Sequence, residues 1–91
     1  HIADKIIFID KGQIILNEDR DNIMDNYKIL KCEIDYFSNI DKKDIIAYKK
    51  NKYNYNILIN DKNGISKKYK EAIADKITLE DLMLLIIKGD K

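Results

Sequence analysis

Two segments of the chain alternate apolar and polar side chains with a period of two residues, except at Leu58. The first covers residues 30–36 and the second covers residues 53–60. Successive side chains of a β-strand point to opposite faces, so this period is typical of a strand with one buried and one wet face. Such strands need other elements to cover their apolar side. The sequence therefore predicts a sheet backed by helices on one side.

Two shorter apolar runs, residues 6–9 and 14–16, come before these strands and predict a hairpin. They flank the turn sequence Asp10-Lys11-Gly12, in which the glycine can take the positive φ of a short hairpin loop with a bulge. Both runs are apolar on consecutive residues and do not alternate. We therefore expect both faces of this hairpin to be covered in its native setting.

Helical spacing and N-cap residues predict four short helices. The last is the best defined, because Thr78 and Asp81 form an acidic variant of the capping box and Gly89 can take the left-handed conformation that ends a helix. These elements predict an α+β fold: a small, mostly antiparallel sheet packed with three or four short helices. The predicted helices are a short one ending at Tyr27 with Asp19 or Asp21 as cap, one over 42–50 with Asp41 as cap, an amphipathic one behind Ser66 as a candidate cap that ends near Asp75, and one over 79–88 with Thr78 as cap.

Composition excludes several classes of function. The 91 residues suffice for one small domain, and 17 Lys+Arg against 16 Asp+Glu leave a net charge of +1, too little to attract nucleic acid. A single cysteine indicates a reducing compartment, which favours a cytoplasmic location. The longest apolar run, residues 82–87, is too short to span a bilayer. The chain opens directly into a strand-like segment, which we interpret as the start of a fragment.

The sequence indicates no catalytic, cofactor-binding or metal-binding residues. Its three glycines stand alone, so no loop can cradle phosphates. His1 is the only imidazole and lies at the first position, where we expect it to be frayed. Cys32 lies on the inward side of its predicted strand, which favours an inert core residue. One His and one Cys give no recognisable metal-ligand spacing.

Two features leave binding functions open. Tyr53 and Tyr55 lie near several lysines and could stack a ligand or single-stranded bases, although inward-facing tyrosines are more often core residues. The apolar run 82–87 covers every side of its helix, so that helix is either central to the core or a contact surface. A free-standing small binding module and a small dimerisation domain are therefore alternatives.

Both ends of the chain resemble one protein family. Residues 2–15, with the sequence Ile-Ala-Asp-Lys-Ile-Ile-Phe-Ile-Asp-Lys-Gly-Gln-Ile-Ile, resemble the last hairpin of ABC transporter ATPase domains, downstream of the switch-histidine loop. Thr78-Leu79-Glu80-Asp81, with Lys88-Gly89 after it, resembles the tail of many bacterial ABC ATP-binding subunits of the drug- and antibiotic-export type. The middle of the chain matches only in pattern.

The resemblance implies that residues 1–27 end a nucleotide-binding domain and that residues 28–91 form its C-terminal accessory domain. The sequence lacks the family's Walker A loop, signature motif, Walker B acid and switch histidine. His1 does not match the switch histidine. We therefore expect this chain itself to be no enzyme and to bind no cofactor. ATP and magnesium belong to the parent subunit. Its implied partners are the remaining ATPase domain and a membrane permease, with a second copy as a further candidate and no nucleic acid. Its implied location is the cytoplasmic face of the cell membrane.

Overall fold

The computed structural model of the protein describes residues 5–90. It confirms the α+β class, with a two-stranded hairpin and a sheet of four antiparallel strands. The strands and helices are β1 (Lys5–Asp10), β2 (Gln13–Asp19), α1 (Arg20–Asn26), β3 (Tyr27–Glu33), β4 (Ala47–Lys50), β5 (Asn54–Asn60), β6 (Ile73–Lys76) and α2 (Leu79–Lys88). Short 3-10 helices cover Ile34–Asn39, Lys42–Asp44 and Ile65–Lys68.

The four-stranded sheet has the order β4-β5-β3-β6, and the core lies on both of its faces. β3 pairs with β5 from Tyr27 opposite Asn60 to Glu33 opposite Asn54. The hairpin, α1 and α2 cover one face, while the 3-10 segments cover the other. The buried side chains on the helix side are Leu16, Ile23, Tyr27, Ile29, Ala47, Leu58, Ile77, Leu82, Leu85 and Ile86. Those on the 3-10 side are Leu30, Cys32, Ile40, Ile57, Ile59 and Tyr69.

The predicted hairpin is confirmed as β1 and β2. Its turn places Lys11 at a φ of 51° and Gly12 at a φ of 77°, and a bulge lies between Phe8 and Ile9. Alternate side chains of β1, Ile6 and Phe8, pack against the helix-side core. Within the described residues the outer face of the hairpin, with Ile7, Ile9 and Ile14, is exposed. The expectation that both faces are covered is therefore met only for the inner face.

The first alternating segment forms a strand that lies earlier than predicted. β3 begins at Tyr27 and ends at Glu33, so 34–36 leave the sheet as part of a 3-10 helix. Helix α1 correspondingly ends at Asn26 instead of Tyr27. Both sides of β3 are covered, since Ile29 and Leu30 are both buried. The second alternating segment forms β5, which begins at Asn54 and leaves Tyr53 outside the strand. The expected wet face is wrong here too, because Leu58 is as fully buried as Ile57 and Ile59.

The predicted helix over 42–50 is wrong. Asp41 does act as a cap, because its Oδ1 accepts a hydrogen bond from the Lys43 amide at 3.1 Å, but only one 3-10 turn follows. Residues Ala47–Lys50 then pair with β5 as β4. Pairing beside β5 buries Ala47 completely, and this tertiary contact outweighs the local cap.

The predicted helix behind Ser66, with its end near Asp75, is also wrong. Ser66 is not its cap, since the Ser66 amide and hydroxyl both donate to the Asp61 carboxylate at 2.7 Å. Gly64, at a φ of 73°, precedes a single 3-10 turn. Residues Ile73–Lys76 pair with the free edge of β3, which a continued helix would leave unpaired.

Helix α2 is confirmed, and its start follows the predicted cap. The Asp81 amide donates to Thr78 Oγ1 at 3.1 Å. The predicted left-handed conformation of Gly89 is wrong, because its φ is −81° and its ψ is 168°. A glycine is needed there for space: a Cβ would lie 2.3 Å from the Leu85 carbonyl oxygen and 3.0 Å from that of Tyr48.

Candidate interaction site

A hydrogen-bonded cluster joins two of the 3-10 segments on one side of the sheet. The buried Tyr69 hydroxyl accepts from the Asp41 amide at 3.1 Å and donates to Asp44 Oδ2 at 2.6 Å. Lys68 Nζ lies 2.9 Å from the same oxygen of Asp44. One phenol thus fixes two residues that lie 25 and 28 positions earlier in the chain.

This cluster shifts the ionisation of its members. The hydrogen bond from Tyr69, followed by that from Lys68, lowers the pKa of Asp44. Burial raises the pKa of Tyr69, and the bond to Asp44 raises it further. At neutral pH the cluster therefore holds a carboxylate, a neutral phenol and an ammonium group. These states suit a structural link, because every charge has a partner.

Replacing Tyr69 by phenylalanine is expected to lower the free energy of unfolding by about 1–3 kcal/mol. The ring still fills its place, but the Asp41 amide loses its acceptor and Asp44 loses a donor. Chemical denaturation of both proteins measures the difference. Tyr53→Phe is the matched control, because Tyr53 is 78% exposed. Removing its hydroxyl group should change the free energy of unfolding by less than about 0.5 kcal/mol.

Asp44 makes part of this stability dependent on pH. Because its pKa is lower in the folded chain than in the unfolded chain, its contribution is full at neutral pH. The contribution is lost as pH falls below about 4, through the folded pKa. Asp44→Asn should therefore be less stable than the parent at pH 7, and the difference should shrink in acid. A constant difference in denaturation midpoint from pH 7 to pH 3 would contradict this.

A cavity of about 490 Å³ opens beside the cluster. Its side chains are largely apolar, with Lys42 and Ser38 as the polar ones. Phe37 stacks on Tyr55 at a centroid distance of 3.9 Å, and Tyr48 packs against Phe37 at 4.9 Å. An apolar or aromatic small molecule fits this chemistry. The complete lining is Phe37, Ser38, Ile40, Lys42, Ile45 and Tyr48.

The structure separates the two tyrosines considered for ligand stacking. Tyr53 is exposed and lies just before β5, with Lys52 Nζ 5.3 Å from its ring centroid. Tyr55 is partly buried, and the stacked Phe37 occupies one face of its ring. The two rings therefore offer no shared exposed surface.

The remaining candidate side chains give no reactive centre among residues 5–90. Cys32 is buried, and this burial raises its pKa, which disfavours the reactive thiolate. His1 lies outside the described residues. In the described part of the chain no group of three or more His, Cys, Asp or Glu side chains could hold a metal ion.

Two exposed apolar surfaces are the strongest candidates for contact with other molecules. The first, here named the hairpin patch, consists of Ile7, Ile9 and Ile14, which are 50%, 65% and 63% exposed. The second, here named the α2 stripe, consists of Met83, Leu84 and Ile87, which are 47%, 45% and 49% exposed. Large apolar side chains gathered on one surface are typical of interaction sites.

Sequence reasoning found both apolar segments but missed the cluster around Tyr69 and the cavity. The apolar content of 6–9, 14–16 and 82–87 was the signal for the two surfaces. Tyr69 carried no comparable signal, because its partners Asp41 and Asp44 come from a distant segment.

Between residues 5 and 90, no helix is long and apolar enough to cross a membrane. Comparison with protein-family models, with curated proteins and with solved structures found no match to this chain.

Proposed function

We propose that this chain is the C-terminal part of a bacterial ABC transporter ATP-binding subunit of the drug- and antibiotic-export type. Residues 1–27 would end the nucleotide-binding domain, and residues 28–91 would be an accessory module packed against it. The chain itself has no catalytic role. ATP and magnesium are bound by the parent subunit, which drives a membrane permease from the cytoplasmic face of the membrane.

The observation that carries this proposal is the hairpin patch. Its three isoleucines lie on the segment whose sequence resembles the last hairpin of ABC ATPase domains. The inner side of the same hairpin packs on the helix-side core, so the hairpin presents a second apolar face outward. A hairpin that lies between two packed bodies needs both faces apolar. The rest of an ATPase domain is the body that the outer face suits.

The Thr78-Leu79-Glu80-Asp81 motif supports an architectural role for the second module. Thr78 caps α2, which fixes where the helix begins and which side chains reach the sheet. Leu82 and Leu85 are buried as a result. The motif thus has a physical use in this chain that requires no nucleotide.

Ile9→Lys tests the role of the hairpin patch. In this chain the substitution should change the free energy of unfolding by less than about 0.5 kcal/mol, because Ile9 is largely exposed. In the proposed full-length ATP-binding subunit the same lysine would be buried against the ATPase core. We therefore expect at least about a tenfold loss of ATPase activity or of folded protein in that subunit. Denaturation curves and phosphate release measure the two effects.

Ile73→Lys is the matched control for this test. Ile73 is 65% exposed, as Ile9 is, but lies on the edge strand β6. It should be neutral in both the chain and the longer subunit. Equal effects of Ile9→Lys and Ile73→Lys in the longer subunit would contradict a contact between the hairpin patch and the ATPase core.

A binding module is the second candidate, and the aromatic cavity is the observation that favours it. Lys42 beside apolar walls suits a small aromatic carboxylate. Titration with benzoate, followed by amide NMR shifts of Phe37 and Tyr48, tests this function. Saturable shifts confined to the cavity would support it, and their absence at millimolar benzoate would contradict it.

A further inference from the structure

Helix α2 presents an apolar outer surface whose orientation the buried side chains define. Leu82, Leu85 and Ile86 face the sheet and are at most 4% exposed. The α2 stripe lies on the opposite side, with Leu84 and Ile87 nearest to the middle of this outer surface. At 100° per residue, positions 80, 84 and 88 follow one another along this outer side. The helix therefore has a complete inner apolar face and a separate outer one.

The charges at the two ends of this outer surface are opposite in sign. Glu80 lies one turn before Leu84, and Lys88 lies one turn after it. Both side chains are exposed, and neither forms an ion pair with another residue in the described range 5–90. The order along the surface is thus acidic, apolar and basic, with Leu84 at the midpoint.

We propose that the α2 stripe is a self-association surface on which two copies of the chain pair their α2 helices in antiparallel orientation. The two-fold axis passes beside Leu84, so that Leu84 of one copy meets the same residue of the other. This arrangement places Glu80 of each copy beside Lys88 of its partner copy, giving two equivalent ion pairs. Met83 and Ile87 lie together on one side of the central contact and extend the apolar surface. The proposal does not depend on the transporter function.

The charge pattern along α2 favours a second copy of the chain as the partner of the α2 stripe. A two-fold interface requires a surface that is complementary to itself, and an acidic end and a basic end equally distant from one apolar centre meet that requirement. Parallel pairing would place Glu80 against Glu80 and Lys88 against Lys88, which repel.

The length of the helix sets the strength of the association. Ten residues of α-helix extend about 15 Å, so the contact is smaller than a standard protein interface. We therefore expect a reversible dimer with a dissociation constant in the range of about 10 μM to 1 mM. Salt should weaken it, because the two ion pairs are exposed.

Sedimentation equilibrium of the 91-residue chain and of two charge variants tests the proposal. The parent chain should dimerise reversibly with concentration. Glu80→Lys and Lys88→Glu should each dimerise about tenfold more weakly at low salt, because each variant turns both ion pairs into repulsions. An equimolar mixture of the two variants should regain association close to that of the parent, since every contact in the mixed dimer again joins a lysine to a glutamate.

Further variants separate this interface from other routes to association. Leu84→Asp should weaken dimerisation more than tenfold, while Ile9→Lys on the hairpin patch should leave it unchanged. Circular dichroism of each variant confirms that α2 is retained. A chain that stays monomeric to about 1 mM would overturn the proposal. So would a mixture of the charge variants that associates no better than each variant alone, or a dimer abolished by Ile9→Lys.

Discussion

Leu82→Ala is expected to lower the free energy of unfolding by about 2–5 kcal/mol, among the largest effects of any single substitution in this chain. Leu82 is fully buried on the inner side of α2 and belongs to the core that joins the helix, the hairpin and the sheet. Alanine would leave a cavity, and a chain of this size has only several kcal/mol of stability in total. Urea denaturation followed by circular dichroism measures the loss.

Leu84→Ala is the control for this substitution, because it makes the same chemical change two residues later on the same helix. Leu84 is 45% exposed, so we expect a change of less than about 1 kcal/mol. Equal losses from the two substitutions would mean that α2 is rotated about its axis relative to the structure. The inner packing of α2 and the proposed role of its outer stripe would then both be wrong.

Gly89→Ala is expected to be the second large effect, with a loss of about 1–3 kcal/mol. The backbone of Gly89 is extended, so alanine meets no restriction from φ itself. The added Cβ would instead overlap the Leu85 and Tyr48 carbonyl oxygens, which are backbone atoms and can move only with their elements. The end of α2 or the adjoining strand β4 must therefore shift.

Hydrogen exchange locates this effect at the contact between Tyr48 and Asp90. The Tyr48 amide donates to the Asp90 carbonyl at 2.8 Å, and the Asp90 amide donates back at 2.7 Å. Gly89→Ala should increase the exchange rate of both amides, whereas Asp90→Ala should leave both rates almost unchanged because the bonds involve only the backbone. Unchanged exchange in Gly89→Ala would contradict the close approach.

The elements predicted correctly from the sequence have strong local signals. The hairpin has a glycine turn between two apolar runs, β5 has a clear period of two, and α2 has a cap at its start. For the hairpin turn and the start of α2 the local preference agrees with the tertiary packing, whereas β5 forms as a strand but is covered on both faces instead of one. When local preference and tertiary packing agree, the structure of a short segment can be predicted from its own sequence.

The two wrong helices show where tertiary pairing overrides local preference. Asp41 offers a helix cap, and Ile65, Tyr69 and Ala72 recur at helical spacing. Yet both segments end as strands, because β5 and β3 each have an edge to pair. Unpaired backbone N–H and C=O groups at the edge of a sheet are unfavourable. The local sequence of a segment does not show whether such an edge is available for pairing. The sequence shows which segments are strands by pattern, but not which segments complete the sheet.

The cavity and the cluster around Tyr69 depend on this same long-range assembly. Tyr69 meets Asp44 only because Lys42–Asp44 and Ile65–Lys68 both pack on the same face of the sheet. A prediction that makes helices of residues 42–50 and of the segment between Ser66 and Asp75 places Asp44 and Tyr69 in the wrong surroundings. The apolar surfaces are different, because an excess of apolar residues is visible before any partner is known.

The hairpin patch and the α2 stripe carry two different proposed contacts. Ile7, Ile9 and Ile14 lie on the segment that resembles an ATPase domain and suit a contact within one subunit. Leu84 and its neighbours lie on the proposed accessory module and suit the proposed contact between copies. The substitutions Ile9→Lys and Leu84→Asp should therefore act independently of each other.

The coding sequence immediately upstream of the His1 codon is the most direct test of the proposed origin of this chain. The proposal predicts that it continues in frame and encodes a glycine-rich phosphate loop ending in Lys and Ser or Thr. A signature motif, a Walker B acid with its catalytic glutamate, and a histidine shortly before the first residue should follow. A start codon at or directly before His1, with none of these motifs, would contradict the proposal and leave a free-standing small protein.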